Sequence, residues 1–266
     1  EDILFDPIND FEGAIEVYAA KASEKNINLL SYIDPSLVNL LYGDITKIKE
    51  VLINLMSNAV KFTPVNGSII IDIRRLPSVS ENETNIKFSV KDTGVGIAKD
   101  KLGKIFSAFS QADSTVTRQY GGTGLGLTIS SKYVAMMGGM LQVASEVGQG
   151  SEFFFTLSFK ETKKSDSDTL YNNIKGKRFA LLTDAPKDIH NVIVKDYLTY
   201  MGANIKILES DREINRNYFD ILIIRLEDYP MISRELDIPI VICGNLRELQ
   251  NARFDKEKIG RASCRE

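Results

Sequence analysis

The sequence predicts two α/β domains, the first an α/β sandwich with helices on one face of a mixed sheet. In the first 160 residues a helix, two strands, a second helix and two further strands follow one another without a regular βαβ repeat. Beyond a charged, serine-rich stretch at 160–173, short apolar runs alternate with helical segments, which indicates a small parallel α/β domain. A chain of 266 residues is long enough to form both hydrophobic cores.

The first predicted helix covers Asp44–Lys61, and Pro64 followed by Asn66-Gly67 ends it. Its apolar residues recur at helical spacing and form one face: Ile48, Val51, Leu52, Leu55, Met56 and Ala59. Two strands follow, Ser68–Arg74 and Ile86–Lys91, because apolar and polar residues alternate in both. One face of each strand is therefore expected in the core.

A second helix is predicted from Gly124 to the glycine pair at 138–139. Strands Met140–Ala144 and Ser151–Phe159 come next, joined by a turn at 145–150. The last strand has an apolar residue at every second position, namely Phe153, Phe155, Leu157 and Phe159. We expect these four side chains in the core rather than in a binding site.

The second domain is predicted from three short apolar runs with helical segments between them. The runs are Arg178–Thr183, Asp220–Arg225 and Ile238–Cys243. The clearest helix is Ile189–Met201, which Gly202 ends.

Domain boundaries follow from composition. We place the first domain at 1–160 and the second, incomplete domain at 175–258. Residues 161–174 are expected to be a linker, since their hydrophobicity is low and charges and serines are dense. Residues 259–266 resemble the translation of a sequencing-adapter read-through, and we expect them to be a non-native tail.

Composition excludes several classes of function. The net charge of −3 argues against a nucleic-acid partner. No apolar run approaches membrane-spanning length, so we expect no direct membrane contact in this segment, although a parent protein can be anchored elsewhere. Two cysteines without a metal-binding spacing favour a reducing cytoplasm. Because the sequence contains a single histidine, His190, most kinds of histidine-dependent catalysis are excluded. We expect His190 to be an exposed or capping residue.

Polar residues form a second stripe along the first helix, at Glu50, Asn54, Asn58 and Lys61. Two interpretations are open. Either the amides face water, or they form a surface for Mg²⁺ and phosphate, with amide oxygens as hard ligands and the lysine as a countercharge.

The segment Asp92-Thr93-Gly94-Val95-Gly96 directly follows a predicted strand. It is either an ordinary turn or a base-binding loop. In the second case the carboxylate accepts the exocyclic amine of adenine and the glycines let the backbone approach the ring.

The segment GGTGLGL at 121–127 opens the second helix and predicts an anion site, because free N–H groups lie at a helix N-terminus. A dinucleotide-binding motif is excluded by the absence of a preceding apolar strand and a βαβ unit. The sequence also lacks the GK[ST] of a P-loop and the HRD of protein kinases.

Five ordered segments together closely resemble the N, G1, F, G2 and G3 boxes of sensor histidine kinases. They are NLMSNAVKFT at 54–63, DTGVGI at 92–97, IFSAFSQAD at 105–113, GGTGLGL at 121–127 and GQGSEFFF at 148–155. The resemblance covers roughly residues 4–159. It implies a Bergerat-type ATP-binding fold, shared with gyrase, a heat-shock chaperone and mismatch-repair ATPases.

The resemblance assigns roles by position. It implies that Asn58 binds Mg²⁺, that Asn54 is its neighbour in the metal–phosphate shell, and that Lys61 contacts phosphate. Asp92 would recognise adenine. The remaining implied ATP-binding positions are Gly94, Gly96, Ile97, Phe109, Arg118, Gly122, Thr123, Gly124, Leu125, Gly126 and Leu127.

The resemblance also implies a lid at roughly 98–122, anchored by Phe106 and Phe109. The family usually has an acid where this chain has Ser107, and often has Gln or Glu-like partners where this chain has Glu50. The first departure bears on the lid more than on ATP binding.

The family's phosphoacceptor histidine lies in a helical hairpin with an H-E-x-R-T-P-type signature, which this sequence lacks. The resemblance therefore implies transfer of the γ-phosphoryl of Mg-ATP to a histidine on a separate dimerisation hairpin of a homodimeric parent kinase. Two alternatives are a nucleotide-sensing scaffold without catalysis and an ATPase coupled to conformational change.

The second domain resembles a response-regulator receiver, which implies a truncated flavodoxin-like (βα) fold. Thr183-Asp184 retains one of the acids that receivers use for Mg²⁺, but Arg225 stands at the phosphoacceptor position and Gly244 replaces a hydroxyl. Arginine cannot accept the phosphoryl group and its charge repels Mg²⁺. The sequence therefore predicts a pseudo-receiver for docking or regulation, or else an unrelated small α/β domain, and the downstream partner would be another receiver or response regulator.

Overall fold

The structure is a computed structural model that describes residues 1–78, 83–106, 125–162 and 173–244. The chain divides into two compact units, residues 1–165 and 166–266. Within the described ranges no helix has both the length and the apolar character needed to cross a membrane.

The first unit is a mixed sheet with helices. Its strands are β1 (Ile3–Phe5), β2 (Asn28–Ile33), β3 (Leu40–Gly43), β4 (Ser68–Leu76), β5 (Glu83–Asp92), β6 (Gln142–Glu146) and β7 (Gly150–Thr162). Its helices in the described residues are α1 (Pro7–Glu24), α2 (Ile45–Phe62), α3 (Lys99–Leu102) and α4 (Gly126–Met136). The strand order is β1-β3-β7-β5-β4-β2, with β6 also paired to β7. Only β2 and β4 pair in parallel, so the predicted mixed sheet is confirmed.

The core lies on one face of this sheet, where alternate residues of the central strands are buried. These residues are Ile69, Ile71, Ile73, Ile86, Phe88, Val90, Phe153, Phe155, Leu157 and Phe159. Phe88 and Phe155 stack with their ring centroids 4.9 Å apart. The buried faces of α1 and α2 belong to the same cluster, so the helices lie on one face, as the alternation predicted.

The elements before residue 44 were not predicted from the sequence. Helix α1 begins after Asp6, whose side chain accepts the N–H of Asn9, and Pro7 occupies the first turn, where its missing N–H costs nothing. Phe11 on this helix is fully buried and meets Phe88 edge-on at 5.3 Å. Helix α1 therefore covers the same face of the sheet as α2.

The described strands of the second unit form a four-stranded, all-parallel sheet. Its elements are β8 (Arg178–Leu182), α5 (Ile189–Tyr200), β9 (Asn204–Leu208), β10 (Ile221–Arg225) and β11 (Ile240–Cys243). The order β11-β10-β8-β9 corresponds to 2-1-3-4 in the unit's own numbering, which is the order of the first four strands of flavodoxin-like sheets.

The prediction that helical segments separate all these strands is wrong. Only α5 is an α-helix in the described part of this unit, and the other two connections contain three-residue 3₁₀ helices, Asp211–Glu213 and Tyr229–Met231. The Asn215 side chain accepts the N–H of Asn217 at 2.9 Å, a local bond that competes with helix formation. Buried Asp211 accepts the N–H and the hydroxyl of Ser233 at 2.7 and 2.8 Å, which ties the two short connections together.

Candidate functional site

Helix α2 presents the predicted polar stripe at its partly accessible side. The helix begins at Asp44, whose side chain accepts the N–H of Lys47 at 3.0 Å. Along the stripe Asn54, Asn58 and Lys61 are half-buried, whereas Glu50 is exposed. Three of the four stripe residues therefore lie in a partly enclosed surface, while Glu50 lies in solvent.

The end of α2 is held by an unpredicted residue, Lys25. Its ammonium group donates to three carbonyl oxygens, those of Val60 at 2.8 Å, Lys61 at 3.1 Å and Thr63 at 2.7 Å. The hydroxyl of Thr63 donates to the carbonyl of Ala59 at 2.7 Å. A cation at a helix C-terminus satisfies carbonyls that lack intrahelical partners and interacts favourably with the helix dipole. The backbone that carries Lys61 is thus fixed by Lys25.

Asp92 lies at the end of β5 and is only 6% exposed. One carboxylate oxygen accepts the N–H of Gly94 at 2.7 Å. Burial raises the pKa of the Asp92 carboxyl, and the amide groups of Gly94 and Ser151 offset this only in part. A buried carboxylate of this kind still has acceptor capacity for a ligand that supplies a donor.

The glycines after Asp92 bring this loop against neighbouring backbone. A Cβ on Gly94 would lie 2.7 Å from the carbonyl oxygen of Phe62 at the end of α2. Gly96 has φ +70°, and a Cβ there would lie 2.0 Å from the carbonyl oxygen of Glu146. Gly94 therefore contacts the end of α2, the helix that carries the polar stripe.

The turn between β6 and β7 fastens the same loop. The N–H of Ile97 donates to the hydroxyl of Ser145 at 2.8 Å, and the N–H of Gly148 donates to the carbonyl of Val95 at 2.9 Å. Gly150 also has φ +97°, with space for a Cβ blocked by the backbone of Asp92 at 1.9 Å. The segment GQGS therefore supports the Asp92 loop.

Helix α4 packs on α2 through a contact that the sequence pattern did not reveal. The Nδ2 of Asn54 donates to the hydroxyl of Ser130 at 2.9 Å, and Ser130 is 2% exposed. Leu127 packs against the core of the unit. Leu125 is the N-cap of α4 and no side chain of the described residues caps the helix, so its first amides keep donor capacity.

Several predicted site residues lie outside the described residues. These are Phe109, Arg118, Gly122, Thr123 and Gly124, together with Ser107. Of the predicted lid, residues 98–106 are described and contain α3, with Ile105 buried and Phe106 packed against the core.

The second unit carries a charged cluster at the carboxyl end of its parallel strands. Nη1 of Arg225 contacts Oδ1 of Asp188 at 2.7 Å, and the same guanidinium pairs with Glu227. The carboxylate of Asp188 also accepts the N–H of His190 at 3.0 Å and caps α5. Burial, and then the charge of Arg225, lower the pKa of His190. The expectation of an exposed or capping histidine is therefore wrong, since His190 is half-buried and Asp188 is the cap.

The other positions that the sequence predicted from the receiver resemblance lie at the same edge of this sheet. Thr183 is fully buried and its hydroxyl accepts the amide of Asn191 at 3.0 Å, whereas Asp184 is exposed. Gly244 follows β11 and is exposed. The guanidinium of Arg225 thus occupies this edge with two carboxylates for partners.

The family match and the relatives of this chain all indicate histidine kinases. Residues 43–161 match the family described as histidine kinase-, DNA gyrase B- and HSP90-like ATPase. Hybrid signal transduction histidine kinase L of Dictyostelium discoideum is 42% identical over 157 residues, which is 59% of this chain and 9% of that protein. Hybrid signal transduction histidine kinase K of the same organism is 34% identical over 236 residues, 85% of this chain and 19% of that protein. The chain thus spans less than a fifth of the length of either relative.

The fold is also similar to that of a solved structure. The crystal structure of full-length ShkA in complex with AMPPNP matches with a TM-score of 0.70 at 23% identity. The match covers 94% of this chain and 51% of ShkA. The family match over residues 43–161 and the histidine kinase relatives show that this segment of the first unit is a histidine kinase ATP-binding domain of the histidine kinase-, DNA gyrase B- and HSP90-like ATPase family.

Proposed function

We propose that this chain is the ATP-binding catalytic module of a sensor histidine kinase, which transfers the γ-phosphoryl group of Mg-ATP to a histidine on a separate dimerisation hairpin. The observation that carries the proposal is the buried carboxylate of Asp92, held against the end of α2 by the close approach of Gly94 and Phe62. This arrangement brings a base-recognising acceptor beside the polar stripe of α2.

Adenine recognition is assigned to Asp92 and the loop after it. The carboxylate accepts the exocyclic amine of adenine, while Gly94, Gly96 and Ile97 line the base. Support comes from the rigid position of the loop, since Gly94 donates to Asp92 and Ile97 donates to Ser145. A buried acceptor in a fixed place discriminates against bases with an acceptor at the same position.

Magnesium and phosphate binding are assigned to α2. The side chain of Asn58 is half-buried and takes part in no hydrogen bond with the described residues, so its amide oxygen suits a hard cation. Mg²⁺ at this position would neutralise charge on the transferred phosphoryl group. The resemblance implies that Asn54 is a neighbour in the same shell, and Lys61 is assigned to the phosphates.

The phosphates are also assigned to the N-terminus of α4. Leu125 and Gly126 offer backbone amides there, and Leu127 anchors the helix in the core. Among the residues outside the described ranges, Gly122, Thr123 and Gly124 are assigned to the phosphates, Arg118 to their charge, and Phe109 to a lid.

The partners follow from the proposed reaction. The acceptor would be a histidine-bearing hairpin of the same parent kinase, which we propose is a homodimer in the cytoplasm, where ATP is available. The next acceptor would be a receiver or response regulator. Support comes from hybrid histidine kinases among the relatives.

We propose that the second unit is a pseudo-receiver. Its parallel 2-1-3-4 sheet supports the assignment. Arg225 is paired with Asp188 and Glu227. In this proposal its cationic group stands at the position where a receiver needs an aspartate that accepts the phosphoryl group. Because such a unit would not accept a phosphoryl group, its proposed role is docking or regulation.

A nucleotide titration of the whole chain tests the proposal. ATP should bind more tightly with Mg²⁺ than with a chelator, and GTP should bind more weakly than ATP under both conditions. Absence of ATP binding, or equal binding of the two nucleotides, would overturn the assignment of Asp92. ATP binding that never leads to phosphorylation of a histidine hairpin would favour a nucleotide-sensing scaffold, and continuous ATP hydrolysis without transfer would favour a conformationally coupled ATPase.

A further inference from the structure

The amide group of Asn54 lies against the first turn of α4. Its Nδ2 donates to the hydroxyl of Ser130 at 2.9 Å, and Ser130 is 2% exposed. A hydroxyl at this depth needs a hydrogen-bond partner within the protein. The donor end of Asn54 is therefore directed at α4.

Gly126 meets the other end of the same amide. A Cβ built on Gly126 would lie 2.3 Å from Oδ1 of Asn54 and 3.0 Å from its Cγ. Real Cβ atoms do not approach oxygen this closely, so a side chain at 126 and the present position of Asn54 exclude each other. Gly126 and Ser130 are four residues apart on α4 and share one face. Both therefore contact the Asn54 amide.

We propose that Asn54 is a positioning residue that fixes the first turn of α4, and that Gly126 is glycine because the Asn54 amide fills the space of its Cβ. This rests on the proposed function, since the first turn of α4 carries the amides assigned to the phosphates. Asn54 then acts on the nucleotide through Leu125 and Gly126, rather than as a member of the metal–phosphate shell.

Two roles for Asn54 are separated by their dependence on Mg²⁺. A residue in the metal shell affects ATP affinity only when Mg²⁺ is present. A residue that positions α4 affects ATP affinity equally with Mg²⁺ and with a chelator, because the amides of α4 bind phosphate in both cases. Substitution of Ser130, which is buried, should likewise affect ATP affinity equally with Mg²⁺ and with a chelator.

The test is a double-mutant cycle on the whole chain with Gly126→Ala, Asn54→Ala and the combination of both. Gly126→Ala alone should lower the melting temperature and weaken ATP binding by at least about tenfold, since the new Cβ displaces Asn54. In the Asn54→Ala background the same glycine substitution should cost less than about threefold, because the shorter side chain vacates the space. Gly13→Ala is the matched control, since a Cβ there meets nothing within 4 Å and the residue lies within helix α1, as Gly126 lies within α4.

Ser130→Ala is the second variant and keeps the proposal testable if Asn54→Ala does not fold. It should weaken ATP binding by the same factor with and without Mg²⁺. An equal cost of Gly126→Ala in both backgrounds would overturn the packing argument. An effect of Asn54→Ala confined to Mg²⁺ would return Asn54 to the metal shell. Failure of the wild-type chain to bind ATP would refute the proposed function. In that case the melting temperatures of the four proteins in the double-mutant cycle would still decide whether Asn54 and Gly126 are coupled.

Discussion

Replacing Asp92 by asparagine separates ligand recognition from folding. The substitution keeps the size of the side chain and keeps an oxygen that accepts the N–H of Gly94, a bond of 2.7 Å in the structure. It replaces the other oxygen by an amine and removes the charge. The variant should therefore fold and bind ATP poorly.

The loss of affinity follows from hydrogen bonding in a buried place. Asp92 is 6% exposed, so water does not replace a lost partner. A hydrogen bond to a charged group contributes about 1.5–3 kcal/mol, which corresponds to a loss of about 10- to 150-fold in ATP affinity. Guanine carries a carbonyl where adenine carries its amine, and the new amide can donate to it. The preference for ATP over GTP should therefore fall.

The effect of Asp92→Asn on the free energy of unfolding should be small, because two changes oppose each other: the substitution weakens the bond from the N–H of Ser151, but it removes the cost of burying a charge. Burial raises the pKa of the Asp92 carboxyl, so the folded state disfavours its charged form. At neutral pH the wild type bears this cost, whereas asparagine does not. As the pH falls through the raised pKa, the folded wild type takes up a proton before the unfolded chain does, and the free energy of unfolding gains a contribution that the variant lacks.

Calorimetric titration with ATP and GTP, and thermal unfolding at neutral and mildly acidic pH, measure both effects. Asp237→Asn is a matched control, because it makes the same change at an exposed aspartate of the second unit. Unchanged ATP affinity in Asp92→Asn would remove this residue from the site. A large fall in melting temperature would mean that the lost affinity reflects damage to the fold.

Three further substitutions test the surroundings of Asp92. Gly94→Ala should abolish ATP binding and lower stability, because its Cβ would lie 2.6 Å from Oδ1 of Asp92. Gly13→Ala should change neither property, and equal titrations and melting curves for the two variants would refute this. Asn58→Ala should leave ATP binding in chelator unchanged and remove the gain from Mg²⁺, so a variant that keeps this gain would disprove the metal assignment. Lys25→Met should lower the melting temperature by roughly 5–10 °C, since it removes three charge-assisted bonds to the end of α2. Lys21→Met, at an exposed lysine of α1, should change the melting temperature little. Equal changes in melting temperature in both lysine variants would contradict the role of Lys25 at the end of α2.

The elements with a clear period were predictable from the sequence. Helix α2 was predicted because Ile48, Leu52 and Leu55 repeat at helical spacing, and β4 and β5 because their residues alternate. The position of Asp92 at a strand end was predicted for the same reason. Local pattern and turn chemistry decide these features, so one stretch of sequence contains the information.

The contacts that build the site were not predictable, because they join residues far apart in the chain. Nothing around Lys25 indicates that its ammonium group reaches the carbonyls at the end of α2. Nothing around Ser130 indicates that it accepts from Asn54. In the second unit the short connections were missed, because the side-chain bond of Asn215 and the buried Asp211 override an apparent helical alternation.

The charged cluster of the second unit was only half predictable. The sequence placed Arg225 at the strand end, but its pairing with Asp188 depends on the start of α5 lying next to the end of β10. The same proximity explains why burial and the guanidinium lower the pKa of His190. A side chain that seemed to be an isolated polar residue is therefore part of a cluster.

The most direct test of the central claim is phosphorylation with γ-labelled Mg-ATP, using the whole chain with and without a histidine-bearing hairpin of the parent kinase. Alone, the chain should gain no stable label, because His190, its only histidine, is half-buried beside Arg225, and this arginine stands at the phosphoacceptor position of the proposed pseudo-receiver. With the hairpin, label should appear on the hairpin in an acid-labile form, slowly, since the covalent linkage that raises effective concentration is absent. Acid-stable label on a serine or threonine of the chain would contradict the account, as would a hairpin that stays unlabelled while the chain binds Mg-ATP.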